Sequence, residues 1–350
     1  MSDVSDVDAF DGEVLDLVVP VTLDAIRVDR VLSMLTGLSR SETSAMLSSG
    51  AVTLNDKVVV KASLNVEVGQ HLVAVLPAPD SGEVEPDDSV VVDVVLDDED
   101  FCVVNKAPGQ VVHPGAGQRT GTLVAGLLAR YPQMRELAAS GLCDPLRPGI
   151  VHRLDKGTSG VLVVAKTPEG FVNLSAQLAE RLMERTYLGM VEGHVAEEHG
   201  VVDAPIGRST RTPTMMAVRA DGRPARTGYD VITRIAKPNA MTLLRLNLDT
   251  GRTHQIRVHM ASIGHPVVGD TLYGGAGQLT DQVASQAAQS KAARRRAEPE
   301  RLKLGRNFLH AARLEFTHPR TGKLLELEAP LPEELENFLS RLDAGDDPAR

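Results

Sequence analysis

The stretch VHRLDKGTSG, from Val151 to Gly160, sets one acid, Asp155, between two cations, Arg153 and Lys156. Three small residues follow, Thr158, Ser159 and Gly160, and then the apolar run VLVVAK. A nearby cation favours the ionised form of a carboxylate, and an ionised, positioned carboxylate can act as a nucleophile or a general base. Taken alone, the pattern also describes a structural ion pair in a turn, the commoner fate of a single Asp. A second stretch, TGRTHQIRVHMASIGHPVVGDTLYGG from Thr250 to Gly275, carries Arg252 and Arg257 among His254, His259 and His265. His254 and His259 are five apart, which does not match the i, i+4 spacing of a zinc-binding helix, and no Glu or Cys nearby completes a ligand set. Metal chemistry is therefore disfavoured. Tyr187, in ERTYLGMVEG, is one of only four tyrosines. It reads by default as a core residue with a polar handle; beside Asp155 it could instead stack on a planar ring or manage a proton.

These residues need elements to hold them. Residues 1–16 are acidic and weakly periodic, which predicts disorder. Val28, Val31, Leu32 and Leu35 then recur at helical spacing, Gly37 ends that helix, and Ser39 with Glu42 fits a capping box for a second helix that Gly50 stops. VTLNDKVVV reads as strand, tight Asn-Asp turn, strand, and VEVGQHLVAVLP adds another strand. Residues 17–79 thus form a small two-helix and hairpin module. Residues 80–100 combine prolines with like charges, as an extended linker does, around a lead-in strand VVVDVVL. Residues 101–330 carry many strand patterns, among them FCVVNK, GVLVVAK, RTYLGMVEG and MTLLRLNL, and helical patterns in TGTLVAGLLARY and PEGFVNLSAQLAERL. Regular β-α-β alternation is missing, so the expected class is α+β: a mostly antiparallel central sheet flanked by helices. THQIRVHM reads as a strand or an extended turn, in which Ile256 and Arg257 diverge. An Ala/Gln/Arg-rich insertion spans 275–305, with Arg294, Arg295 and Arg296, and reads as a solvated surface loop; 331–350 is left as a tail.

The net charge of −10 argues at first sight against a polyanionic partner, but its distribution does not. Residues 80–100 alone hold ten acids and no bases, whereas 101–330 hold thirty Lys or Arg against twenty Asp or Glu. Nucleic-acid binding responds to local charge, so an acidic tail and linker are compatible with a basic body. The two cysteines, Cys102 and Cys143, show no framework spacing, and no apolar run approaches the roughly 20 residues that cross a bilayer. A reducing cytoplasm, no membrane and a monomer by default are the expectations.

The stretches NKAPGQVVHPG, HRLDKGTSGVLVVAKT, ERTYLGMVEG, GRPARTGYDVI, TGRTHQIRVHMASIGHPVVGDTLYG and FLHAARLEFTHPRTGK together resemble the RNA pseudouridine synthases of the RluA type. They follow in order over most of residues 100–325. RVDRVL, LSRSE, SSGAVTLNDKVV and VEVGQHL resemble the RNA-binding module of the S-four type, which points to the RluD-like branch. In that module Arg27, Arg30 and Arg40 are the available phosphate contacts, while Ser48 and Ser49 stand where such modules often carry a base.

The resemblance implies that uridine in RNA is isomerised: N1–C1′ breaks and C5 bonds to C1′. It places the essential carboxylate at Asp155, with attack on C1′ and abstraction of the 2′ proton both open. Arg257 is implied as the basic partner that keeps Asp155 ionised and aimed, and Ile256 as an apolar floor under the base. Tyr187 is implied to stack on the uracil, and Arg153 to assist extrusion of the nucleotide. The small residues after Asp155 are implied to let the backbone approach the sugar. Arg252, His254 and His113 are candidate substrate contacts, and Lys106 with Pro108 match the family's more structural first motif. Reactant and product hold the same atoms, so no cofactor and no metal is called for. The implied partner is RNA, in particular large-subunit ribosomal RNA or an assembling ribosomal particle; transfer RNA is the alternative substrate. An N-glycosidase, which usually needs two carboxylates, and a non-catalytic ribosome-assembly factor are the rival readings.

Overall fold

The computed structural model describes residues 14–38, 40–76, 83–115, 118–212, 215–237, 239–279 and 302–342. The chain divides into two compact units, Met1–Glu83 and Val84–Arg350. The first contains β1 (Val14–Val18), α1 (Val28–Thr36), α2 (Arg40–Ser48), β2 (Val52–Leu54), β3 (Lys57–Val58) and β4 (His71–Val75). Its antiparallel sheet runs β1-β4-β2-β3. Val28, Val31 and Leu32 bury one stripe of α1, which Gly37 ends in a left-handed conformation. Leu15, Leu47, Val52 and Leu72 close the core beneath it. Asn55 and Asp56, both at positive φ, make the tight turn between β2 and β3. β1 corrects the disorder expected up to residue 16: Leu15 is buried while Asp16 is exposed, and the strand pairs along β4. A five-residue edge strand with one inward anchor is too short to stand out against acidic neighbours. Residues 1–13 and Ser39, the foreseen cap, lie outside the described residues.

The second unit holds β5 (Val94–Asp97), β6 (Phe101–Lys106), α3 (Leu123–Arg130), α4 (Arg135–Ala139), β7 (Ser159–Ala165) and α5 (Pro168–Ala179). It continues with β8 (Glu184–Glu192), β9 (His199–Asp203), β10 (Ile206–Arg208), β11 (Met216–Val218), β12 (Arg226–Ile235), β13 (Met241–Leu248) and α6 (Gln255–Ser262). The last elements are β14 (Gln278–Leu279), β15 (Leu302–Lys303), β16 (Leu309–Thr317), β17 (Leu324–Glu328) and α7 (Glu333–Ser340). A nine-stranded sheet runs β5-β6-β7-β16-β8-β13-β12-β9, with β17 on β16. Every pairing is antiparallel except β7 with β16. The fold is α+β, as the strand-rich pattern implied.

β7 is buried at all seven positions, which is why VLVVA reads as an unbroken apolar run. Gly160 is obligatory where β7 meets β16: it sits at φ 115°, and an added Cβ would lie 2.1 Å from the Ala311 carbonyl oxygen. Thr158, Ser159 and Gly160 are buried in this junction. At Ser159 and Gly160 smallness serves strand packing, while Thr158 also lines the cleft that holds Asp155. α7 likewise corrects the tail assigned from 331 onward, because Leu335 and Phe338 are buried with Met190 and Phe308. Its three acids, Glu333, Glu334 and Glu336, sit in the first turn, where the helix dipole favours them. That charge obscured the two apolar anchors. Of the foreseen insertion, residues 280–301 lie outside the described residues, Arg294, Arg295 and Arg296 with them; its flanks β14 and β15 pair antiparallel.

Candidate active site

Asp155 lies in the irregular segment between α4 and β7, closed by a turn from Thr158 N to the Asp155 carbonyl at 3.0 Å. Cations hold this loop through its backbone. Lys106, fully buried at the end of β6, donates to the carbonyls of Ala107 at 2.8 Å, Gln110 at 2.9 Å and Lys156 at 3.4 Å. Burial pushes its pKa down to about 7, Arg306 adding to the depression and Asp155 opposing it. From the other side Arg306 donates to the Gly157 carbonyl at 2.9 Å and to Ser159 Oγ at 3.1 Å. Asp155 thus sits on a loop tied to two distant parts of the sheet.

Its charge partner is not a sequence neighbour. Arg153 donates instead to His113 Nε2 at 2.9 Å, and Lys156 to Gln118 Oε1 at 3.3 Å. Asp155 Oδ2 accepts from Nη1 of Arg257 at 3.1 Å, across 102 residues of chain. Both side chains are largely withdrawn from solvent, at 16% and 12% exposure, so the pair is weakly screened.

Arg257 stands on α6, which corrects the extended reading of THQIRVHM. Gln255, Ile256, Val258, His259 and Met260 are all buried around this short helix, so a one-sided apolar stripe that would betray it never develops. Gln255 ties its start, its amide accepting from Arg252 N at 3.0 Å and donating to the Arg226 carbonyl at 2.9 Å. Ile256 and Arg257 diverge as expected, but by the roughly 100° between successive helical residues rather than by strand alternation.

Sequence reasoning missed Asp270 and Tyr273. Arg257 is gripped by both carboxylate oxygens of Asp270, Nε to Oδ2 at 2.6 Å and Nη2 to Oδ1 at 2.8 Å. Its guanidinium lies 4.9 Å from the Tyr273 ring centroid. Burial opposes the charge on Arg257, but Asp270 and Asp155 outweigh it and raise its pKa above the ordinary value. Both residues stand in GDTLYGG; an acid thirteen positions after Arg257 was the available signal, but spacing alone does not say that the chain turns back. Tyr273 Oη accepts from Met216 N at 3.0 Å and meets His254 Nδ1 at 2.8 Å. Either the phenol or the ring nitrogen can donate in this pair, according to the imidazole tautomer. Burial lowers the pKa of His254, keeping that ring neutral.

A cleft of about 470 Å³ opens over this network. Asp155, Arg257, His254, Arg252, Arg153 and His113 line it, as do Tyr187 and Ile256, while Lys106 supports it from behind. Tyr187 reaches it from β8 with burial raising its phenol to about 12, so it is a neutral hydroxyl at ordinary pH. Arg147, Arg181 and Arg185 add three further cations that sequence reasoning did not single out. Arg252 is steadied by the Pro224 carbonyl at 3.0 Å. His259 and His265 do not face the cleft; they are tied to Thr227 and Ala204 and to the Glu192 carbonyl. In the first unit Arg30 is exposed, Arg27 pairs at two points with Asp29, and the side chain of Arg40 lies outside the described residues. Among the described residues no cluster of His, Cys, Asp and Glu is arranged to hold a metal ion, and no helix is long and apolar enough to cross a membrane.

Residues 100–262 match the family model described as RNA pseudouridylate synthase. A protein of Nitrosomonas europaea named ribosomal large subunit pseudouridine synthase D is 37% identical over 94% of this chain and 88% of its own length. The chain belongs to the RNA pseudouridylate synthase family. Within it the synthase falls in the RluA type, RluD-like branch, and it is an RNA pseudouridine synthase, an isomerase. It is 40% identical to the large-subunit synthase D of Zymomonas mobilis over 90% of this chain and 93% of that one. Among solved structures it is similar to human RNA pseudouridylate synthase domain containing 1, at 26% identity and a TM-score of 0.49, covering 71% of this chain and 87% of that one.

Proposed function

We propose that this synthase converts specific uridines of large-subunit ribosomal RNA to pseudouridine, with Asp155 as the reacting carboxylate. The observation that carries the reading is the pair of Asp155 with Arg257 at 3.1 Å on the wall of a cation-lined cleft. A uridine held in a duplex must be extruded before its sugar can reach that acid, at about a few kcal/mol of unstacking. The guanidinium groups at the cleft face its phosphates. Ile256 and Tyr187 offer apolar and aromatic surface to the base. The ribosomal substrate is supported by the names of the relatives that match over most of the chain. The first unit serves as an RNA-binding module through Arg30 and its neighbours, and the enzyme acts as a cytoplasmic monomer.

Mapping pseudouridine in total RNA from cells with and without this gene tests the substrate; sites lost from transfer RNA alone would overturn it. RNA mass separates isomerisation, which leaves it unchanged, from glycosidic hydrolysis, which loses uracil. Asp155→Asn is expected to abolish pseudouridine formation while retaining RNA affinity, and normal turnover by that variant would remove Asp155 from its role.

A further inference from the structure

Arg257 presents one edge to Asp155 and its opposite edge to Asp270, and the two contacts are unequal. Asp270 takes two short hydrogen bonds through a carboxylate only 2% exposed; Asp155 takes one, at 3.1 Å. Asp270 lies outside the residues 100–262 that match the family model. We propose that Asp270 is a positioning residue that sets both the aim and the strength of the Arg257 contact to Asp155.

Two physical effects follow. A bidentate fork fixes the guanidinium plane, and Tyr273 beneath it blocks rotation, so that Nη1 alone remains for Asp155. The two carboxylates also share the single positive charge of Arg257, in a site largely withdrawn from solvent. The other groups acting on this cluster from neighbouring elements are Arg153, His254, Tyr187 and Lys106. None of them hydrogen-bonds Asp155 among the described residues. Without Asp270, Arg257 would be free to turn its fork onto Asp155. The acid would then be held as a spectator ion pair, less basic and less nucleophilic.

The inference rests on the proposed function, and the test separates the two. The substrate is a large-subunit ribosomal RNA transcript carrying 5-tritiated uridine, which loses its label to water when C5 bonds to C1′. Asp270→Asn is expected to lower kcat roughly 10- to 100-fold with KM changed less than about twofold. Losing one of the two carboxylate charges on Arg257 is also expected to move the acidic limb of the kcat–pH profile to lower pH. Asp270→Glu, which keeps the charge, is expected to leave that limb in place. Phe338→Ala, a core variant outside the residues that line the cleft, supplies the signature of mere destabilisation: a lower melting temperature with the limb unmoved. A partly unfolded preparation scales the rate alike at every pH, so the limb reads the site itself. An Asn variant with wild-type kcat, or with the Phe338→Ala signature, would overturn the inference. No tritium release by the wild-type protein would instead overturn the ribosomal reading, and this inference with it.

Discussion

Asp155 depends on a guanidinium that reaches it from a helix more than a hundred residues away. Arginine is suited to that position because its planar fork can engage two carboxylates at once, whereas an ammonium is a point charge on a flexible stem. Arg257→Lys therefore keeps the charge and loses the bridge. Single-turnover rates on saturating RNA are expected to fall about 100-fold, in the range seen when a preorganised donor is removed, while RNA affinity measured by filter binding stays near wild type. Equal losses in both would make Arg257 an ordinary phosphate contact. His113 shows the same economy: its Nδ1 proton goes to the Pro114 carbonyl at 2.9 Å, leaving Nε2 to accept from Arg153. Burial lowers its pKa and so favours that neutral form. Arg153 is thereby held at the cleft by an uncharged partner, and no carboxylate among the described residues pairs with it.

Elements of the sheet are joined through ties at their ends. The turn between β5 and β6 is joined to the turn between β16 and β17 by Arg320, whose Nε and Nη2 meet Asp100 at 2.9 and 2.8 Å. The Arg320 bond holds the Asp100 carboxyl below its usual range; burial opposes this and Thr167 assists it. A depressed carboxylate contributes stability that is complete above the unfolded value, near 3.8, and is lost as pH falls through the lower folded value. Urea midpoints of the wild type are accordingly expected to drop more steeply below about pH 4 than those of Asp100→Asn. At the far end of the chain, α7 covers Phe308, one residue before β16. Phe338→Ala is expected to cost about 3–5 kcal/mol in urea unfolding; a change within about 0.5 kcal/mol, as at an exposed position, would make α7 peripheral.

At the scale of the whole molecule, the proposed reading has both compact units bind RNA through charge. Counterion release makes that affinity depend on salt in proportion to the phosphates neutralised. Arg30, exposed on α1, is the cleanest probe, since Arg27 already pairs with Asp29. Arg30→Ala is expected to weaken RNA binding and to reduce the slope of log K against log salt by about 0.7–0.9, with kcat unchanged. An unchanged slope would take α1 off the RNA. The overall charge of −10 does not bear on this, because the acids concentrate in segments such as 80–100.

Local chemistry made much of this protein legible in advance. The α+β class, the helix stops at Gly37 and Gly50, the Asn55-Asp56 turn and the buried run of β7 follow from periodicity and backbone preference, which short windows carry. The two stretches around Asp155 and Arg257 stood out by their clustered charges, and the roles assigned to them came from the resemblance to RluA-type synthases. Short windows could not show that Asp155 ignores Arg153 and Lys156, because pairing depends on where side chains meet in space. Nor could they show α6, whose neighbours bury it on nearly every side, or α7, whose anchors hide among acids. Asp270 and Tyr273 were invisible because only the folded chain returns GDTLYGG to Arg257. Composition and local pattern decided which groups were available; the tertiary fold decided which of them share a charge.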